Sequence, residues 1–247
     1  MIKICDNRGV CIDHIEDLLK HKNIAIMLSE GADSTLALYL MAKYIDELGL
    51  HDTHTILPIH YHCTNFNPPY PHDSTSIVRN VLSIVRGMFP KVYIFEPLIK
   101  NYFDLNTVDV CIGKRFYWKD YKNRLRDCGF VDVILTGGIS DPYDEIPPPP
   151  DPSEVLDDPI HKRASEKHKG PLMMADKRFI CWCYKNFNLM DNLFPLTRTC
   201  VFPSEDGQPC TKCSGCREKY YGFGYYDKGV KDGYWNERYS YYDYDTI

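Results

Sequence analysis

The sequence lacks several features that would each have settled its class. No apolar run approaches the ~18–20 residues of a membrane-spanning helix, so no membrane partner is expected. Positive charge is not in surplus: 29 Lys and Arg stand against 34 Asp and Glu, for a formal net charge of −5. Electrostatic capture of nucleic acid by the whole molecule is therefore not expected, although a local basic patch would survive that balance. The opening stretch MIKICDNRGVCIDHIEDLL carries charges where a secretory leader would be apolar, and the expected location is the cytoplasm. The Gly-Lys-Ser/Thr ending of a Walker loop is missing too, which removes the P-loop NTPases.

Cysteine, by contrast, is abundant: eleven residues, an odd number. In a reducing compartment these should be thiols or metal ligands rather than a disulfide frame. Cys5, Cys11, Cys63, Cys111, Cys128, Cys181 and Cys183 are scattered, and read as core or surface thiols. Cys200, Cys210, Cys213 and Cys216 are clustered as C-x9-C-x2-C-x2-C. Two-residue gaps let neighbouring thiolates face one ion, and the nine-residue loop returns the first to complete a tetrahedron. Four sulfurs predict a closed, structural zinc site. An iron–sulfur cluster uses the same ligands, and unbound thiols are the bland alternative.

Four short apolar segments predict buried strands, at 23–29, 54–62, 91–98 and 131–138. Between them lie helical patterns. Leu36, Leu40, Tyr44 and Leu48 recur at four-residue spacing, and Ile77, Val81, Ile84 and Val85 mark a second apolar face. The segment 119–129 supplies a third, less regular one. Strand and helix in alternation predict an α/β fold with a parallel sheet flanked by helices. Proline then breaks the order over SDPYDEIPPPPDPSEVLDDPIHKR (140–163), a loop that serves either as a lid or as a rigid connector. A helix is expected within 173–187. Residues 220–247 hold nine of the nineteen tyrosines; base stacking and plain packing both accommodate such a tail. The resulting division is an α/β domain at 1–195, a zinc-binding segment at 196–219 and a Tyr-rich tail at 220–247.

The turn Ser29-Glu30-Gly31-Ala32-Asp33-Ser34 joins the first strand to the first long helix. Helix-start N–H groups lack intrahelical partners, and with the helix dipole they make an anion site. On spacing alone, Asp33-Ser34 reads equally as a simple helix cap. Alternation on a strand puts His54, His60 and His62 on one face, with His72 nearby, so a second metal site stands against polar packing there.

SEGADS after a β-strand resembles the Ser-Gly-Gly-x-Asp-Ser pyrophosphate loop of the PP-loop ATPases, with Glu30 standing where the family has glycine. Paired with the four-cysteine knot, it is similar to 7-cyano-7-deazaguanine synthase. PLMMADKRFICWCYKNFNL resembles that family's helix carrying Asp-Lys, here Asp176 and Lys177, and ILTGGISDPYDE resembles its strand and acidic loop. TRTCVFP…CTKCSGCREK resembles the family's ending. After the second strand HYHCTNFNPPYPHDS departs from the family pattern, and Lys114 and Arg115 match a family turn only loosely.

The resemblance implies a Rossmann-like sheet of the adenine nucleotide alpha hydrolase type. It implies an ATP-dependent ligase that activates the carboxylate of 7-carboxy-7-deazaguanine, adds ammonia, and dehydrates the amide to the nitrile. ATP and Mg2+ join Zn2+ as expected cofactors, and a homodimer is implied. Carried over residue by residue, ATP would meet Leu28, Ser29, Glu30, Gly31, Ala32, Asp33, Ser34, Thr35, Leu36 and Gly137. Asp33, Ser34 and Lys177 inherit the catalytic positions. A PP-loop enzyme that adenylates a different substrate, with an amide-only product or RNA modification, and a zinc-stapled nucleotide-binding pseudoenzyme remain as alternatives.

Overall fold

The computed structural model describes residues 2–63, 74–102, 123–139, 170–200, 208–211, 213–224, 226 and 227. It opens with a hairpin that hydrophobic periodicity did not announce. Strand β1 (Ile4–Cys5) pairs antiparallel with β2 (Cys11–Ile12), and Cys5 and Cys11 are joined by a disulfide. The expectation that both were free thiols is corrected. Register is the reason: the two cysteines are directly opposed, with Cα atoms 4.1 Å apart, and opposed residues in an antiparallel pair bring their side chains together. A short helix, α1 (Ile15–Leu18), follows.

The central sheet begins with β3 (Asn23–Met27), which leads into α2 (Ala32–Glu47), β4 (Thr55–Cys63) and α3 (Ser74–Met88). Next come β5 (Tyr93–Ile94), β6 (Leu98–Tyr102) and β7 (Val133–Leu135). The sheet runs β5-β4-β3-β7, with β6 also against β4, and every pairing in it is parallel. In chain order it grows outward from β3 through β4 to β5, then returns to the other side of β3 for β7. Such a reversal makes a crevice at the carboxyl ends of the two strands it separates, here β3 and β7.

The third expected strand, 91–98, is replaced by two short ones, and Pro58 in β4 accounts for the division. Ile56 O accepts from Phe95 N, on the β5 side, at 2.9 Å. Alternation turns Pro58 to that same side, where it has no N–H to offer. Pairing with β5 stops at Ile56 and pairing with β6 starts at Ile59, on either side of the proline. The other expected strands hold with shifted ends: β3 stops at Met27, and β7 is only Val133–Leu135.

Strand alternation divides the core in two. Ile24, Ile26, Ile56, Val133 and Leu135 face α2, α3 and a later helix, α4 (Lys177–Asn186). Ala25, Leu57 and Ile59 face the opposite way, against Leu125 and Val131. The helical stretch 123–127 lies within the segment expected at 119–129. Helix α2 departs from the single stripe expected of it. Every residue from Ser34 to Ala42 is buried, because the helix lies between the sheet, α3 and α4, while Leu48 falls beyond its end and is exposed. In α3 the buried face is Val78, Val81, Leu82 and Val85.

Helix α4 is capped by Asp176, whose side chain accepts from Phe179 N, and Asn188 follows it at a positive φ of 56°, as a helix C-terminus favours. A single 3-10 turn (Phe194–Leu196) leads toward the cysteine cluster, and α5 (Ser214–Phe223) follows it. Helix α5 runs without a break through the boundary expected at 219/220. The Pro-rich loop 140–163, Lys114, Arg115, His72, Cys111 and residues 228–247 lie outside the described residues. No described helix is long and apolar enough to cross a membrane.

Candidate functional site

The turn after β3 lies at the carboxyl end of that strand, beside β7, where the strand order reverses. Gly31, extended at φ −76° and ψ 154°, precedes the first residue of α2. Thr35 N donates to Gly31 O at 3.2 Å, the first helical bond, and helix geometry leaves the N–H groups of Ala32, Asp33 and Ser34 without intrahelical acceptors. Ser34 braces the turn from within. Its Oγ accepts from Ser29 N at 3.1 Å, lies 2.8 Å from Ser29 Oγ and 3.2 Å from Gly31 O, while Ser29 Oγ accepts from Gly31 N at 3.1 Å. Ser34 is thus engaged in shaping the loop. The side chains of Leu28, Ala32, Thr35 and Leu36 are buried, so a ligand at the turn would meet backbone from these positions. Glu30 is half-buried, and its carbonyl accepts from Arg198 N at 2.7 Å.

Gly137, just beyond β7, forms the other wall. A Cβ there would lie 2.5 Å from Ser34 N and 2.7 Å from Ser34 Cα. Space, rather than an unusual φ, requires the glycine. Gly137→Ala should therefore push the start of α2 away from β7, at a cost of about 1–3 kcal/mol. A urea melt would read this as a lowered midpoint at constant slope, and an unchanged midpoint would show that the loop yields without strain.

Lys177 enters the same turn from 144 residues away. Its Nζ donates to both oxygens of Asp33, at 2.8 and 2.7 Å, and lies 3.6 Å from Glu218 Oε2. Lys177 is 1% exposed although it starts a helix. Gly222 of α5 explains this burial: a Cβ there would lie 2.3 Å from Lys177 Cγ, so α5 covers the lysine stem closely. Tyr184, about two helical turns further on, donates to Ala32 O at 2.9 Å and fastens α4 to α2. Burial raises the Tyr184 phenol well above its ordinary range.

The neighbouring Asp176 holds a second ion pair. Arg8 Nη1 and Nη2 each reach one of its carboxylate oxygens at 2.8 Å. Burial pushes Asp176 up, but the guanidinium and the Phe179 N–H outweigh it, and the carboxyl titrates below its ordinary range. No periodicity or motif foretells Arg8, 168 residues from its partner.

The four clustered cysteines form the second candidate site. Their sulfurs lie within 4.8 Å of one another, and Cys200, Cys213 and Cys216 are buried. A tetrahedral ion bound at 2.3 Å to sulfur needs them about 3.8 Å apart, so small adjustments suffice, and the donor set suits a soft metal. Cys210 N lies 3.1 Å from Cys200 Sγ, and Cys213 N lies 3.3 Å from Cys210 Sγ, placing N–H dipoles against developing thiolate charge. Thr211 adopts a positive φ of 62° in the turn between two of the ligands. For a β-branched residue that conformation costs on the order of 1–3 kcal/mol and needs a surrounding constraint.

A buried ion pair ties this cluster to the body. Lys219 Nζ donates to Asp227 Oδ1 and, at 2.9 Å, to Thr197 Oγ1, and it lies over the Phe194 ring. Asp227 Oδ2 accepts from Thr199 N at 2.8 Å and Cys200 N at 3.0 Å. Thus Asp227 sets the backbone that presents the first cysteine.

The histidines are engaged in polar packing. His54 Nε2 meets Leu19 O at 2.8 Å, His60 meets Leu28 O and Ser74 Oγ, each at 3.0 Å, and His62 Nδ1 meets the same Ser74 Oγ at 2.7 Å. Among the described residues the cysteines are the one group of three or more placed to hold a metal. Arg8, Glu218 and Asp227 are the site residues that sequence reasoning missed.

No family model and no curated protein matches the chain.

Proposed function

We propose that the chain is an ATP-dependent ligase of the PP-loop kind, one that joins ammonia to a small carboxylic acid. The resemblance names 7-carboxy-7-deazaguanine as that acid and 7-cyano-7-deazaguanine as the product. The observation that carries this reading is the placement of Lys177 against Asp33 in the first turn of α2, at the crevice between β3 and β7. Helix-start N–H groups, a buried ammonium and a carboxylate converge there. Those are the groups that polyphosphate transfer requires.

In the proposed reaction the acid's carboxylate oxygen attacks the α-phosphorus of ATP and pyrophosphate departs. Ammonia then attacks the acyl carbon, and AMP leaves with the electron pair of the broken C–O bond. A second activation of the amide oxygen permits loss of that oxygen and two protons to give the nitrile. The N–H groups of Ala32, Asp33 and Ser34 would bind the pyrophosphate, and Lys177 would neutralise its developing charge. Asp33 would hold magnesium, which supplies further charge neutralisation. Cys200, Cys210, Cys213 and Cys216 would hold a structural zinc outside the chemistry, since four protein ligands leave no open position.

A second reading keeps nucleotide binding and gives up turnover. Glu30 favours it, because a carboxylate in the phosphate loop opposes the further negative charge that develops as pyrophosphate departs.

The deciding measurement is an incubation of protein, ATP, magnesium, ammonia and the deazaguanine acid, with AMP, amide and nitrile read by mass spectrometry. AMP formed in step with acid consumed is the expected result, and Lys177→Met should lower kcat roughly 10²–10³-fold, as loss of one transition-state donor does. AMP without loss of this acid rejects the substrate. Titration calorimetry with ATP and magnesium covers the remaining case: binding without AMP marks the pseudoenzyme, and no binding rejects the nucleotide site.

A further inference from the structure

We propose that Cys5–Cys11 is a reversible redox-modification site, and that its state controls the amino end of α4 through Arg8. The inference does not depend on the nucleotide reading.

The hairpin that carries the disulfide has only two residue pairs, Ile4 with Ile12 and Cys5 with Cys11. Isolated two-stranded hairpins are marginal in water even when longer, and here the covalent link adds to the packing of Ile4 and Ile12 in the core and to the hydrogen bonds of the loop. Within the loop it closes, Asp6 acts as the organiser. Its Oδ1 accepts from Arg8 N and Val10 N, each at 3.0 Å, and its Oδ2 from Arg8 Nε at 2.9 Å and Nη2 at 2.6 Å. Arg8 is thereby aimed outward from the loop, with Nη1 and Nη2 on the two oxygens of Asp176. The Asp176 carboxylate caps α4 by accepting from Phe179 N at 2.7 Å. The next residue is Lys177, paired with Asp33. Each step from the disulfide to Lys177 is a hydrogen bond or a neighbour in the chain.

Reactivity supports the same assignment. Cys5 and Cys11 are half-buried and so reachable by a small thiol, whereas Cys181 and Cys183 are buried within α4. Burial pushes the Cys181 thiol up to about 11, which keeps it from competing as a thiolate at neutral pH. The partner is a small-molecule or protein thiol reductant. A thiolate attacks one sulfur of the pair, forming a mixed disulfide and releasing the other cysteine, which takes up a proton. A second reductant thiolate attacks the reductant's own sulfur in that mixed disulfide and releases the second cysteine, which is protonated in turn. Two electrons and two protons enter the protein, and two reductant thiols leave as one disulfide.

Linkage supplies the test. If the closed disulfide favours the Arg8–Asp176 pair, the pair favours the closed disulfide by the same factor. Wild type and Arg8→Met are equilibrated in glutathione buffers, quenched and alkylated, and the peptide spanning Cys5 and Cys11 is read by mass spectrometry. Arg8→Met should shift the equilibrium toward the dithiol by about tenfold, within the usual range of such couplings. As a second measurement, a Cys5→Ser/Cys11→Ser double variant mimics the open state without exposing the clustered cysteines to reductant. Amide exchange in the first turn of α4, read at residues 177–180, should be at least about fivefold faster than in the wild type, on the scale of local opening equilibria. An unchanged redox equilibrium in Arg8→Met overturns the proposal. So does unchanged exchange in the double variant.

Discussion

Replacing Cys213 with serine is expected to abolish metal binding by the clustered cysteines and to loosen α5. The wild-type chain should carry about one zinc by elemental analysis, because four sulfurs this close are placed to hold one ion in a closed tetrahedral site. Three remaining thiolates bind far more weakly, and the variant should be nearly free of metal. In zinc-finger peptides the coupled binding and folding energy is on the order of 10 kcal/mol. Here the sheet has its own apolar core, and the metal's contribution falls mainly on the covering segment. That segment still reaches the other site. Helix α5 starts directly after Cys213, and it carries Glu218 and Gly222 against Lys177. The Cys213→Ser protein should therefore melt earlier and lose protection around Lys177. The exposed thiol of Cys128 provides a control, since Cys128→Ser should leave metal content and melting as they are. Equal zinc content and equal melting in Cys213→Ser would sink the metal assignment.

The centre of the sheet was legible because β3, β7 and the first half of β4 are short apolar runs, the signature of burial on both faces. Ile24, Ala25 and Ile26 satisfy two opposite cores at once, and no polar residue interrupts them. The split of the third strand was hidden because Pro58, which causes it, lies in a different strand from the one it divides. Likewise, the all-round burial of α2 depends on α4, a helix formed some 130 residues later. The turn at 29–34 and the four cysteines were visible as local patterns, with spacing doing the work. What joined them was not local. Lys177 meets Asp33, Arg8 meets Asp176 and Asp227 meets Cys200 N across separations of 144, 168 and 27 residues. Single charged residues in ordinary surroundings carry no signal of their partners. The Cys5–Cys11 disulfide was missed for a related reason, since two-residue strands are too short to show alternation.

The second large effect is expected at Asp227, a residue that reads as one more charge in a tyrosine-rich tail. Asp227→Ala would leave the Lys219 ammonium, 1% exposed, without its counter-charge. Breaking a buried pair from one side costs about 3–5 kcal/mol, a fall in melting temperature on the order of 10 °C for a chain of this size. The loss should be larger than that of Lys219→Met/Asp227→Ala, in which no buried charge is stranded. The pH dependence separates this account from simple loss of packing. Burial pushes Asp227 up, but Lys219 and the two backbone N–H groups bring it below its ordinary value. A depressed carboxyl stabilises fully above its unfolded value of about 3.9, and that benefit drains away as pH falls through the folded value. For Lys219, burial outweighs the attraction of Asp227 and lowers the ammonium's value. The unfolded state then holds more protons in the alkaline window below about 10.4, so stability rises with pH there. Without Asp227 that window widens, because the lysine loses its proton more readily. The stability gap between wild type and Asp227→Ala should accordingly be widest near neutral pH and narrow toward both acid and alkali. Urea melts of both proteins across pH would measure it. A gap below about 1 kcal/mol, or one that stays flat with pH, would mean that Lys219 finds water or another acceptor when Asp227 is gone.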